Sequence, residues 1–275
     1  MTKTTDKPVD LRSHFGLTAT PFTREIAISE RWSAPLFDEP LEDLRRTIEQ
    51  RMSAVLLAPS GTGKTLLLRA LREQLPEARY RVQDVKLTSL SKRDLYREIA
   101  LAAGVEPAGS YPTLMHRLHE HFRNQDQDDG RRPVLIIDES QDLRIEVLGT
   151  LRVLTNYNMD SRLVLSVILA GDGRLRQMLE RQDMAPVSRR LAHCATLRLL
   201  SRAETRQYVE HRLRIVGART VPFDEAAVDA VFEISRGNLR AINRLCRKAL
   251  ERAALGALTT VDPSLVVAAR QQLLL

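Results

Sequence analysis

The chain has 275 residues, 43% hydrophobic and 28% charged, a balance that excludes fibrous and low-complexity classes and suits one large α/β domain plus a smaller helical one. It holds no apolar run of roughly 18 residues, no apolar core in Met1-Thr2-Lys3-Thr4-Thr5-Asp6-Lys7-Pro8, and two cysteines (Cys194 and Cys246) without metal-ligand spacing, so the expectation is a cytoplasmic protein with reduced thiols, no membrane span and no signal peptide. The net charge of +7 favours a polyanionic partner, although the excess of arginine over lysine is also what a high-GC coding bias produces.

The first residues read as a short arm. Residues 11–37 follow as a linker packed on the domain, with His14-Phe15-Gly16-Leu17 and Thr20-Pro21-Phe22 as apolar anchors. Leu41, Leu44, Ile48 and Met52 recur at helical spacing. Ala54-Val55-Leu56-Leu57 is then a buried strand, and Leu66 to Leu71 an amphipathic helix. Between them lies Ala58-Pro59-Ser60-Gly61-Thr62-Gly63-Lys64-Thr65. Strand, glycine-rich loop and helix in that order are what a phosphate-binding loop requires. The glycines let N–H groups turn in around a polyphosphate, and the helix N-terminus adds positive charge. Pro59, Ser60, Gly61, Thr62 and Gly63 form the cradle, Lys64 reaches the β- and γ-phosphates of ATP, and Thr65 ligates Mg²⁺. Ala58 stands where the usual pattern has Gly; a methyl group is small enough to be tolerated.

Tyr80 to Leu87 predicts a second strand, Ser91 an N-cap, and Leu95, Ile99 and Ala103 the helix it opens. A helix over 112–123 and a polar loop over 124–132 follow. Val134-Leu135-Ile136-Ile137-Asp138-Glu139 reads as a central strand with two acids at its carboxyl edge. Open α/β sheets bind ligands at that edge. Asp138 is the Mg²⁺ ligand, directly or through water, and Glu139 the group that polarises a water for attack on the γ-phosphate. Val147 to Thr155 predicts a helix, Leu163 to Ala170 a strand ending in Gly171-Asp172-Gly173, 174–181 a short helix, and 196–199 the last strand. Alternating strands and helices imply a parallel sheet covered on both faces. From Ser201 the pattern is wholly helical. Ser201-Arg202-Ala203-Glu204 has the form of a capping box, Gly217 ends that helix, and three more run over 224–235, 238–255 and 262–273.

This arrangement resembles the AAA+ superfamily of P-loop NTPases, a parallel sheet with flanking helices followed by a small all-helical lid. Further pieces resemble its ExeA-like branch and the transposition relatives of the TniB, TnsC and Mu B type. They are His14-Phe15-Gly16-Leu17 with Pro21-Phe22, Asp138-Glu139-Ser140-Gln141-Asp142-Leu143, Leu169 to Leu175, Tyr208 with His211-Arg212-Leu213 and Gly217, and Gly237 to Asn243. The expected division is an arm and linker over 1–36, an ATPase core over 37–200 and a lid over 201–275.

The resemblance implies further roles. Asp172 falls at a polar sensor, Arg240 at a γ-phosphate-sensing lid arginine, and Arg189 and Arg190 where a trans-acting arginine finger belongs. The choice between those two stays open, as does their reading as a DNA contact or a solvated pair. Asp172 is also plain turn chemistry, and Arg240 equally a solvated helix arginine. Lys92 and Arg93, in Leu87 to Arg93, match pore-facing basic residues, and a capped helix start with a solvated pair fits them as well. The implied function is an ATPase that forms a homo-oligomer, ring or filament, on double-stranded DNA without sequence preference and recruits or activates a transposase. An ExeA-like secretion-assembly ATPase is the alternative; such proteins extend beyond a lid, and the sequence ends with one. A nucleotide switch with little hydrolysis is the third reading, disfavoured by intact Asp138 and Glu139.

Overall fold

The structure, a computed structural model, describes residues 10–86, 91–156 and 163–273. The expected N-terminal arm over residues 1–9 and residues 87–90 of the expected pore segment lie outside them. Helix α1 (Leu11–Phe15) is capped by Asp10 and stops at Gly16, whose φ of 64° is left-handed. Helix α2 (Pro35–Glu49) starts six residues before the first position that the apolar spacing marks. Pro35 sits in the first turn, where its missing N–H costs nothing. Pro40 removes one rung of the ladder, offset by burial of Leu36, Phe37, Leu41 and Leu44.

Strand β1 (Ser53–Leu57) leads through the glycine-rich loop into α3 (Lys64–Gln74). There follow β2 (Tyr80–Lys86), α4 (Lys92–Ala103) and α5 (Tyr111–Gln127). The Ser91 hydroxyl accepts the Asp94 N–H, the N-cap that the sequence marks. Strand β3 (Arg132–Asp138) comes next, then α6 (Ile145–Leu148), α7 (Leu151–Leu154), β4 (Ser166–Gly171), α8 (Gly173–Leu179) and α9 (Ala185–Ser188). Strand β5 spans Leu191–Thr196, earlier than the expected 196–199. Among the described residues it pairs only with β1, at the sheet edge, so half its side chains stay exposed and its apolar signal is diluted.

The strands form one parallel sheet in the order β2-β3-β4-β1-β5. Strands β1 and β4 are buried along their whole length. Leu95, Ile99, Leu114, Leu118 and Phe122 of α4 and α5 join Leu135, Ile137 and Leu169 of the sheet in one core. These elements belong to a compact unit of Ala34–Ser60 and Lys64–Arg198.

The second compact unit gathers the described residues among Met1–Ser33, Gly61–Gly63 and Leu199–Leu275. Its helices are α10 (Arg202–Arg214), α11 (Glu225–Ser235), α12 (Leu239–Leu255) and α13 (Pro263–Gln271). The capping box forms as the sequence predicts: Glu204 N–H donates to the Ser201 hydroxyl at 3.2 Å, and Ser201 N–H to the Glu204 carboxylate at 2.8 Å. The expected arm and linker divide. Residues 10–33 pack with the C-terminal helices, while residues 34–36 open α2. Buried Arg212 of α10 donates to the Thr23 carbonyl at 2.9 Å and to the Tyr208 hydroxyl at 3.1 Å. The His211 ring bonds the Glu30 carbonyl at 2.8 Å, and Trp32 meets Tyr208 edge-on. No helix among the described residues is long and apolar enough to cross a membrane.

Candidate nucleotide site

Parallel pairing brings the C-terminal ends of β1, β4 and β3 side by side, with β4 in the middle. The glycine-rich loop leaves β1 and Asp138 ends β3. Gly61 and Gly63 have φ of 81° and 95°, which only glycine adopts at no cost. Ala58 is not among the left-handed residues; it is buried, and its N–H donates to the Gly171 carbonyl at 2.9 Å. A methyl group therefore fits where the usual pattern has Gly.

Lys64, the first residue of α3, has a side chain only 8% exposed and lies between two carboxylates. Its Nζ is 3.1 Å from Asp138 Oδ1 and 2.9 Å from Glu139 Oε2. Thr65 Oγ1 donates to Asp138 Oδ2 at 3.2 Å. A buried ammonium needs such compensation. Polyphosphate oxygens would serve the same ammonium, so the residues fit an anionic ligand. The Thr65 hydroxyl and Asp138 carboxylate are adjacent hard oxygen donors of the kind Mg²⁺ takes.

Glu139 occupies the left-handed region (φ 54°, ψ 38°), uncommon for a residue with a β-carbon. Its N–H donates to Asp138 Oδ1 at 2.8 Å. Burial works against its charge, but hydrogen bonds from Gln141 and Lys64 and the charge of Lys64 outweigh burial and hold its carboxyl below the usual range; Asp172 opposes them. The Gln141 bond is the shorter, Nε2 to Glu139 Oε2 at 2.6 Å. Gln141 figures in the sequence only as a motif letter; its contact with Glu139 depends on a turn that spacing does not reveal.

Asp172 follows β4. Its carboxylate caps α8 by accepting the Arg174 N–H at 2.9 Å and pairs with the Arg174 guanidinium at 3.1 Å. Its own N–H donates to Gln141 Oε1 at 3.3 Å. Arg240 is exposed in the first turn of α12, and its N–H donates to the Gly61 carbonyl at 3.1 Å. Both belong to the second compact unit, as does Asn238, whose carboxamide lies 2.5 Å from where a Gly61 β-carbon would fall.

The remaining expected residues are not brought to this cluster. Arg189 and Arg190 precede β5, whose first residue pairs with Ser53 at the start of β1. They stand at the opposite edge of the sheet from the glycine-rich loop, on the order of 16 Å away along a five-residue strand. Lys92 and Arg93 are exposed in the first turn of α4. Arg93 Nε donates to the Gly109 carbonyl at 3.2 Å. Lys92 borders a cleft of about 430 Å³ shared with Glu146, Arg152, Arg181 and Asp183.

Comparison with known proteins agrees with this geometry. Residues 45–179 match the family described as AAA domain. The chain is 30% identical over 239 residues to General secretion pathway protein A of Aeromonas hydrophila, covering 86% of this chain and 43% of that protein. It thus spans less than half the length of that relative. Among solved structures it is similar to Cdc6p of Pyrobaculum aerophilum, with a TM-score of 0.74 at 17% identity over 92% of this chain and 70% of the other. It is also similar to the Aeropyrum pernix ORC1 protein in complex with DNA (TM-score 0.67, 17% identity, 89% and 66% coverage). The RuvB Holliday junction branch migration motor of Thermotoga maritima gives 0.61 at 18% identity over 92% and 73%. These identities speak for the fold alone. The five-stranded parallel sheet, the glycine-rich loop between β1 and α3, and the match of residues 45–179 to the AAA-domain family together give the chain a P-loop NTPase fold of the AAA type.

Proposed function

We propose that the protein binds and hydrolyses ATP, with Lys64, Thr65, Asp138 and Glu139 carrying the chemistry. The supporting observation is the Lys64 ammonium held between Asp138 and Glu139 beside the Thr65 hydroxyl, at the carboxyl edge of a parallel sheet. In this reading the N–H groups of residues 59–63 cradle the phosphates, and Lys64 exchanges its carboxylate partners for phosphate oxygens. Thr65 and Asp138 would hold Mg²⁺, whose charge would offset that of the bound phosphates. Glu139 accepts a proton from the water that attacks the γ-phosphorus, while the bond to the ADP oxygen breaks and inorganic phosphate leaves. Asp172 and Arg240 are proposed as sensors of the γ-phosphate, and Arg189 or Arg190 as the finger of a neighbouring copy.

Two variants test this. Lys64→Ala is expected to abolish binding of a fluorescent ATP analogue. Glu139→Gln is expected to keep that binding and reduce phosphate release by at least about a hundredfold. Unchanged affinity in the first removes the phosphate-loop role, and unchanged turnover in the second removes Glu139 as base.

For the setting, the 30% identity across 86% of the chain favours a secretion-assembly ATPase of the ExeA type. A second setting draws on the net charge of +7, the exposed Lys92 and Arg93, and a fold shared with a DNA-bound ORC1. There, ATP favours an oligomer on duplex DNA that recruits or activates a transposase. Fluorescence anisotropy with duplex DNA and ATP, ADP or no nucleotide separates them. ATP-dependent binding at low salt supports the second; no binding in any state supports the first.

A further inference from the structure

The acidic site contains a residue that the proposed chemistry does not yet use. Gln141 lies in the 3-10 turn Ser140–Asp142 that follows Glu139. The turn is fixed from within: the buried Ser140 hydroxyl donates to the Ile137 carbonyl at 2.8 Å, and Asp142 N–H to the Glu139 carbonyl at 2.9 Å. Together with the left-handed backbone of Glu139, it folds the Gln141 side chain back over the carboxylate. Gln141 is 8% exposed, and both ends of its carboxamide are engaged. Nε2 donates to Glu139 Oε2 at 2.6 Å, and Oε1 accepts the Asp172 N–H at 3.3 Å. Only this amide orientation satisfies both partners, because a carboxylate has no proton to give and an N–H no lone pair. Gly171 leaves the space: a β-carbon there would fall 2.7 Å from Gln141 Oε1.

We infer that Gln141 is a positioning residue for hydrolysis, fixing Glu139 and tying it to the β4 end at Asp172. The inference rests on the ATPase reading above. Lys64 and Gln141 both bond the same oxygen of Glu139, Oε2, which leaves Oε1 to meet a water. Phosphate oxygens compete for the Lys64 ammonium, whereas Gln141 has no reason to leave. With nucleotide bound, Gln141 is the donor that keeps Glu139 aimed. Because Gln141 also accepts from the first residue past β4, a shift of that strand end in answer to the γ-phosphate moves the base directly.

The test compares steady-state ATP hydrolysis and fluorescent-analogue affinity in the full chain for Gln141→Glu, which matches the size but replaces the donor by an acceptor, and Gln141→Met, which is neutral and unbranched. Each is made alone and with Glu139→Gln, and thermal melts verify folding. Each single change is expected to lower kcat on the order of ten- to a hundredfold, with analogue affinity and KM within about twofold of the parent. Added to Glu139→Gln, neither is expected to lower the residual rate further, because positioning a base that is absent has no effect. A parental kcat in both single variants overturns the inference while leaving the ATPase reading intact. So does a rate loss that multiplies with that of Glu139→Gln, or one matched by an equal loss of affinity. A parent that binds the analogue without hydrolysing ATP removes the ATPase reading itself, and the role of Gln141 with it.

Discussion

At the scale of single residues, backbone conformation decides which positions of the glycine-rich loop tolerate change. Ala58 sits outside the left-handed region, so Ala58→Gly is expected to leave nucleotide affinity unchanged and to cost about 0.5–1 kcal/mol of stability. Gly61 is the opposite case, with φ of 81° and the Asn238 carboxamide against it. Gly61→Ala is expected to weaken binding of an ATP analogue at least about tenfold; parental affinity would show that the loop adapts. The two thiols differ by burial. Cys246 is fully buried and burial pushes its thiol far up, whereas Cys194 is exposed. A thiol reagent is therefore expected to modify one cysteine in the native protein and both after unfolding. Modification of both in the folded state would contradict the burial of α12. The cluster of Lys64, Thr65, Asp138 and Glu139 is legible in the sequence because its parts are contiguous: glycines, lysine and hydroxyl in one run, two acids after one apolar run. Gln141 is not, since its role arises from a turn that spacing does not encode and from an N–H on another strand.

At the scale of elements, legibility follows burial. Strands β1, β3 and β4 are interior and read as apolar runs. Edge strand β5 does not, since its small residues Ala192, Cys194 and Ala195 and its His193 make no run of large apolar side chains. The capping box and the Ser91 cap are legible because the cap and its partner lie within one turn. The packing of residues 10–33 on the C-terminal helices is not, since it depends on buried Arg212 and on His211 reaching distant carbonyls. Packing between α5 and α7 is expected to make stability depend on pH. His119 bonds the Val153 carbonyl at 2.8 Å. Burial holds its pKa below the ordinary 6.5 and the nearby His116 adds to this, against the opposing effect of the Val153 bond. Burial likewise lowers His121. Below pH 6.5 the unfolded chain binds protons that the folded chain does not. This stabilisation is thus present above 6.5 and lost as pH falls through the lowered folded values. The denaturant midpoint is expected to fall between about pH 7.5 and pH 5, and His119→Gln, which keeps a donor but does not titrate, to flatten that slope. An unchanged slope would assign the pH dependence to other groups.

At the scale of the whole molecule, the question is what the charge of +7 is for. Many of the 42 basic residues are paired with acids along helices, such as Arg45 and Arg46 with Glu42, or Arg247 and Lys248 with Glu251. Such pairs contribute little field at a distance. Lys92 and Arg93 differ from these. They occupy the first turn of α4, where the helix dipole favours acids, and both are exposed. Lys92 also borders the cleft it shares with Arg152 and Arg181 and with the acids Glu146 and Asp183. Cations in that first turn gain nothing from the dipole, and under the DNA-bound reading proposed above they meet an anionic partner. If that partner is duplex DNA, each phosphate contact releases counterions, and binding weakens linearly in log salt by about 0.9 per contact. Replacing Lys92 and Arg93 by Ala together is then expected to make the slope shallower by about 1.8 and to weaken binding equally across sequences. The same pair of substitutions is expected to leave ATP-analogue affinity unchanged, because neither residue contacts Lys64, Asp138 or Glu139 among the described residues. A parental salt slope would move the DNA surface elsewhere, first to Arg131 and Arg132. Absence of any salt-dependent binding would leave the charge to coding bias and strengthen the secretion-type reading.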